Sequence, residues 1–227
     1  MIMDFFNRIT KLELSISIIS LFVITALPPL GVLIAFSFVI LYLFIGKERK
    51  QKFKSIGFTR PKNWIITIFI CMILAIVIEL CFEVLFNPII EKLTASKIDL
   101  TGYDKIRGNL LNYLQWLLIG LVVGGFIEEI LFRGFLITRI SKIFNNAKDG
   151  NWFAIIITSA IFGFSHLYQG LSGVISTGLI ALLFGIIFIY NNKILWYSII
   201  THGFVNLVGL TVIFLDIDKY ISTLVFK

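Results

Sequence analysis

Apolar residues run through this chain in blocks too long and too evenly greasy for amphipathic elements, separated by short polar or basic connections. The first block, residues 14–45, would make one helix about 48 Å long, well beyond a hydrocarbon core of ~30 Å. Pro28-Pro29 and Gly31 interrupt it. The pattern therefore predicts a helical hairpin of two short spans. Residues 64–86 form the next span, with Trp64 as an interfacial anchor. A connection of mixed charge ending near Gly108 leads to a long helical pattern over 110–140, and apolar stretches 152–168, 171–190 and 194–215 complete the series. The predicted fold is an all-α, polytopic transmembrane helical bundle of about seven spans, within a range of six to eight. It forms a single integral membrane domain over residues 1–227.

Composition agrees with that reading, because 58% hydrophobic and 15% charged residues exclude a water-soluble globule. The blocks are too many for one anchor, and no small-residue cleavage site follows the first, so that span is expected to stay. The net charge of +7 comes from basic residues gathered in the connections. Lys47, Arg49, Lys50, Lys52, Lys54, Arg60 and Lys62 face only Glu48 between the hairpin and the next span, which makes that connection cytoplasmic by the positive-inside rule. Arg8 and Lys11 then place the amino terminus inside as well. These charges set topology and do not mark a nucleic-acid partner. The expected partners are the lipid bilayer and a membrane-associated protein or peptide. The abundance of Phe, Ile, Lys and Asn points to a bacterial plasma membrane. Cys71 and Cys81 are ten residues apart on one predicted helix, roughly 15 Å along its axis, too far to bridge.

Ionisable side chains persist in hydrocarbon mainly where they pair or do chemistry. Only two histidines occur, in Phe162-Gly-Phe-Ser-His166 and His202-Gly-Phe-Val-Asn206, and a third apolar run carries Glu128-Glu129 with Arg133 behind. Arg133 is four residues after Glu129 and shares its helix face, so Glu129 is the natural ion-pair partner. Glu128 points elsewhere, which leaves it for proton transfer. In an antiparallel hairpin Glu128 and His166 lie level, because both are equidistant from position 147 in the predicted turn. Phe162 would pack the imidazole and fix its direction. His202 and Asn206 leave one face together and offer two donors, as a tetrahedral oxyanion requires. For straight helices His202 falls roughly 12 Å from the depth of His166. The plainer alternatives are glutamates snorkelling to an interface, a histidine satisfied by a neighbouring hydroxyl or carbonyl, and an interhelical polar clasp. Gly120 and Gly124 form a GxxxG that suits close helix packing.

EExxxR, FxxxH and HxxxN on successive helices, spanning residues 110–215, resemble the CPBP family, the CAAX-protease and bacteriocin-processing or Abi proteins. The resemblance implies an intramembrane endopeptidase in which Glu128 activates water with help from His166. It implies that Glu129 and Arg133 buttress the site and that His202 and Asn206 stabilise the oxyanion. A peptide would enter from the cytoplasmic side or from within the bilayer. Such proteins resemble a glutamic protease without a catalytic metal, and no cofactor is expected. Zinc held by His166, His202 and a carboxylate is the alternative, although HExxH is absent. Two further alternatives remain: an ion-coupled transporter using Glu79 and Glu83, and a non-catalytic immunity or scaffold protein. A prenylated protein, a bacteriocin leader, a pheromone precursor and a membrane-bound regulator are all open as substrate.

Overall fold

The computed structural model describes residues 10–46, 48–144 and 147–218. Arg8, Lys47 and Asn145, used above for topology and the turn, lie outside the described residues. The chain forms helices α1 (Lys11–Ala26), α2 (Leu30–Phe44), α3 (Arg49–Ser55), α4 (Trp64–Thr94), α5 (Leu110–Ile143), α6 (Lys148–Ser165), α7 (Leu167–Tyr190) and α8 (Leu195–Phe214). Local chemistry starts several of them. Thr10 and Glu13 close a reciprocal capping box at α1, and the side chains of Asn63 and Asn109 accept the first free amides of α4 and α5. Leu27 and the two prolines end the first helix and turn the chain into the second.

The bundle is all-α as expected, but the span count is not about seven. Among the described residues four helices are long and apolar enough to cross a membrane: α4, α5, α7 and α8. The hairpin helices α1 and α2 have 16 and 15 residues. At 1.5 Å per residue that is about 24 and 22 Å, short of a ~30 Å core. In α6 the first turn contains Lys148, Asp149 and Asn151, so its apolar part is shorter than its 18 residues. Length is instead concentrated in α5, which has 34 residues, and in α4, which has 31 and continues past residue 86 to Thr94.

Two ends can be told apart by charge and packing. At the basic end Leu195 N donates to Gly57 O at 2.9 Å, Trp64 packs against Trp196 at 5.3 Å, and Phe58 packs against Trp196 at 5.4 Å. Arg139 Nε meets Glu13 Oε1 at 2.7 Å, and Tyr42 OH donates to the same oxygen at 2.9 Å, which fastens the α1–α2 hairpin to the last turns of α5. Burial pushes the Glu13 carboxyl up, but the Arg139 guanidinium, the Thr10 amide and Lys142 outweigh it and hold the carboxyl below the usual range. At the opposite end Gly108 N donates to Phe214 O at 3.0 Å, and Arg107 binds Asp216 at 2.9 Å and Asp218 at 2.7 Å. These aspartates raise the Arg107 guanidinium, Asp218 most strongly.

Helix α5 is the axis of the fold. Every residue from Glu129 to Ser141 is buried, against α1, α2, α6 and α7, whereas between Leu110 and Glu128 only Gly125 is. The core is thus dense around the basic half of α5 and open around the other. Antiparallel α6 and α7 approach closely at Gly163 and Gly178, where an added Cβ on Gly163 would lie 3.0 Å from Gly178 Cα.

Candidate active site

The site is built on the middle of α5, which does not wind as a regular α-helix. Gly120–Glu128 and Ile130–Ile137 run in wide π-type turns, a winding frequently found at functional sites. Glycines bring this segment against α8. A Cβ on Gly125 would lie 3.2 Å from Gly203 Cα, so the two backbones nearly touch beside His202.

Glu129 is fully buried, and its Oε1 lies 2.9 Å from Arg133 Nη1 and 2.8 Å from His202 Nδ1. The acid joins two helices as well as two turns of its own. Arg133, 2% exposed, also donates from Nη2 to Ala181 O at 2.9 Å. Its guanidinium sits 5.0 and 5.2 Å from the ring centres of Phe162 and Phe184. Phe184 also packs on the His202 ring at 4.6 Å, so both partners of Glu129 lie against aromatic faces.

A carboxylate accepts only, so His202 Nδ1 carries the proton shared with Glu129 and Nε2 is left to face the site. Asn206 Nδ2 donates one proton to Gly120 O at 2.7 Å and keeps a second. Both nitrogens converge over Gly124: a Cβ there would lie 3.4 Å from His202 Nε2 and would overlap Asn206 Nδ2. The GxxxG therefore does more than pack helices, because its second glycine is the floor of the donor pair. Gly124→Ala is expected to displace the Asn206 amide and lower turnover by about 10²-fold, the scale of one lost oxyanion donor. Steady-state kinetics with a thermal melt in detergent checks this, since the melt should change little.

Glu128 and His166 are each half-buried. Phe132, one turn after Glu128, packs edge-on against Phe162, one turn before His166, with ring centres 5.0 Å apart. That contact sets the two helices in register about position 147. His166 ends α6, and its ring stacks on Phe162 at 4.8 Å and 28°. Its Nδ1 lies 3.0 Å from Phe162 O, and a carbonyl only accepts, so Nδ1 is the protonated nitrogen and Nε2 the basic one. Glu128 makes no direct hydrogen bond to His166 among the described residues, and a reacting molecule would have to lie between them. Both imidazoles touch the Phe162 ring, His202 at 6.2 Å, so that ring bridges the depth offset expected for straight helices.

Tyr168, whose ring is 5.7 Å from His166, was not marked by any motif. It follows the FxxxH run by two residues in an exposed turn, and nothing in its spacing distinguishes it. Glu79 lies elsewhere, with Oε1 3.0 Å from where a Cβ on Gly209 would be. Cys71 and Cys81 are free. Among the described residues no three His, Cys, Asp or Glu side chains come together as a donor set for a metal ion.

Residues 110–208, which carry all seven side chains named by the motifs, match the family described as type II CAAX prenyl endopeptidase Rce1-like. Over this stretch, which is less than half of its length, the chain is similar to that family of membrane endopeptidases. No curated protein and no solved structure matches it.

Proposed function

We propose that this protein is an intramembrane endopeptidase of the glutamic type, cleaving a membrane-associated peptide with a water activated by Glu128 and His166. The observation that carries the reading is the ion-paired support beneath the donors: Glu129 holds Arg133 and His202 from one oxygen, with Asn206 beside them. Glu128 accepts a proton from water as the water oxygen attacks the scissile carbonyl. The oxyanion forms against the second Asn206 N–H and His202 Nε2–H. The latter contact uses the ring protonated at both nitrogens, with Nδ1–H kept on Glu129. As the C–N bond breaks, the proton on Glu128 passes to the leaving amine, with His166 Nε2 as relay, and both groups return to their starting states.

No step in this mechanism uses a metal. His166→Gln is expected to lower turnover by about 10²–10⁴-fold, the usual contribution of one proton-transfer group. A strong chelator is expected to leave wild-type turnover unchanged. Chelator inhibition reversed by added zinc would overturn the metal-free mechanism. Within the clan, processing of a bacterial peptide or self-immunity to a bacteriocin is favoured over trimming of a prenylated protein, on the strength of composition and the CPBP-type motifs.

A further inference from the structure

The two ends of the bundle offer a substrate very different routes to Glu128. Toward the basic end the way is closed: Glu129 to Ser141 are all buried. The connection after α2 docks beneath them. Ile56 is fully buried, Ile56 O lies 3.1 Å from where a Cβ on Gly134 would be, and Arg139 Nη2 donates to Ser55 Oγ at 2.8 Å. The α1–α2 hairpin adds to this seal. Its open end is tied to α5 at Arg139 and Phe135.

Toward the other end the packing thins. Leu110 to Phe126 is mostly exposed or half-exposed, and Leu167 and Tyr168 are about half exposed. Three aromatic residues frame this side. Tyr103 packs on Trp116 at 5.0 Å, and its hydroxyl lies 3.4 Å from that of Tyr168, whose ring is next to His166. Aromatic side chains of this kind favour the membrane–water boundary. Asn206 is eight positions before the end of α8 at Phe214, about 12 Å by helix rise. An extended peptide covers that depth with about four residues.

We infer that the scissile segment reaches the site from the end opposite the basic connections, past the rim of Tyr103, Trp116 and Tyr168. By the positive-inside rule this is the extracytoplasmic side. The substrate class is therefore an exported peptide, or a membrane protein's extracytoplasmic segment, able to extend about four residues into the bundle. A cytoplasmic carboxyl-terminal tail does not fit. The inference rests on the hydrolase reading for its substrate and on packing alone for its entry side.

Single cysteines placed in a Cys71→Ser, Cys81→Ser background test it. Leu167→Cys and Lys97→Cys lie at the rim, and Lys54→Cys lies in the basic connection; all three positions are exposed. A membrane-impermeant maleimide applied to intact cells is expected to label both rim positions at least tenfold more than position 54, with the difference vanishing once the cells are opened. Labelling of position 54 alone in intact cells would overturn the entry side. Blocking Leu167→Cys from outside with a bulky maleimide is expected to reduce Glu128-dependent cleavage at least tenfold. Unchanged cleavage would overturn the rim as the substrate's path. Rim labelling together with no Glu128-dependent cleavage in unblocked protein would overturn the hydrolase reading and its substrate, while the entry side would stand.

Discussion

Glu128→Ala and Glu128→Gln are expected to lose at least 10²-fold in turnover while melting like the wild type. Two features separate function from folding at this position. Glu128 is half-buried and makes no hydrogen bond to another described side chain, so its removal leaves no buried partner unsatisfied. The Phe132–Phe162 contact ties its turn of α5 to the turn of α6 that ends in His166, and a water held between the carboxylate and His166 Nε2 would meet two acceptors at once. The glutamine variant keeps the size and loses the basicity. Turnover of a membrane-anchored substrate, read beside a detergent melt, distinguishes the two kinds of loss. Wild-type turnover in either variant would remove Glu128 from the reaction.

Glu129 is expected to behave in the opposite way. Glu129→Ala takes the counter-charge from Arg133, which is 2% exposed and clamped by Phe162 and Phe184, and unpins His202. Breaking a buried pair by deleting one partner costs about 3–5 kcal/mol, because the remaining charge is left uncompensated. The variant should therefore unfold at markedly lower temperature or denaturant, and activity falls with it. Replacing both partners, as Glu129→Gln with Arg133→Met, removes the stranded charge and is expected to recover much of the stability. It should not restore turnover, since His202 Nδ1 then lacks its carboxylate. A double variant as active as the wild type would show that the pair serves packing alone.

The contrast between these neighbours marks what the sequence could convey. The i, i+4 spacing of Glu129 and Arg133 and the helical register about position 147 are local or symmetric relations, and both can be counted along the chain. The bond from Glu129 to His202 joins residues 73 apart, so the spacing rules that paired His202 with Asn206 had no means of finding it. The role of Gly124 was hidden for the same reason. A GxxxG announces close approach, but what approaches, here the Asn206 amide and His202 Nε2, belongs to the facing helix.

Span count failed on a different ground. Hydropathy registers apolar length without showing whether a helix faces lipid or its own neighbours. The hairpin α1–α2 and helix α6 carry apolar side chains on their outward faces as well as toward α5, yet each falls short as a crossing element. The wide turns of α5 were likewise invisible, because no residue pattern separates a π-type turn from an α-helical one in a glycine-rich apolar run. Half of α5 is left exposed beside the candidate site.

The central claim is that α5, α6 and α8 gather a carboxylate, two imidazoles and an amide around one peptide bond. It is tested most directly by comparing cell-envelope peptides from cells producing equal amounts of wild-type and Glu128→Ala protein. A hydrolase of this design predicts at least one pair of fragments, meeting at a single bond, present with the wild type and absent with the variant. Identical peptide profiles, with both proteins folded in the membrane, would contradict it.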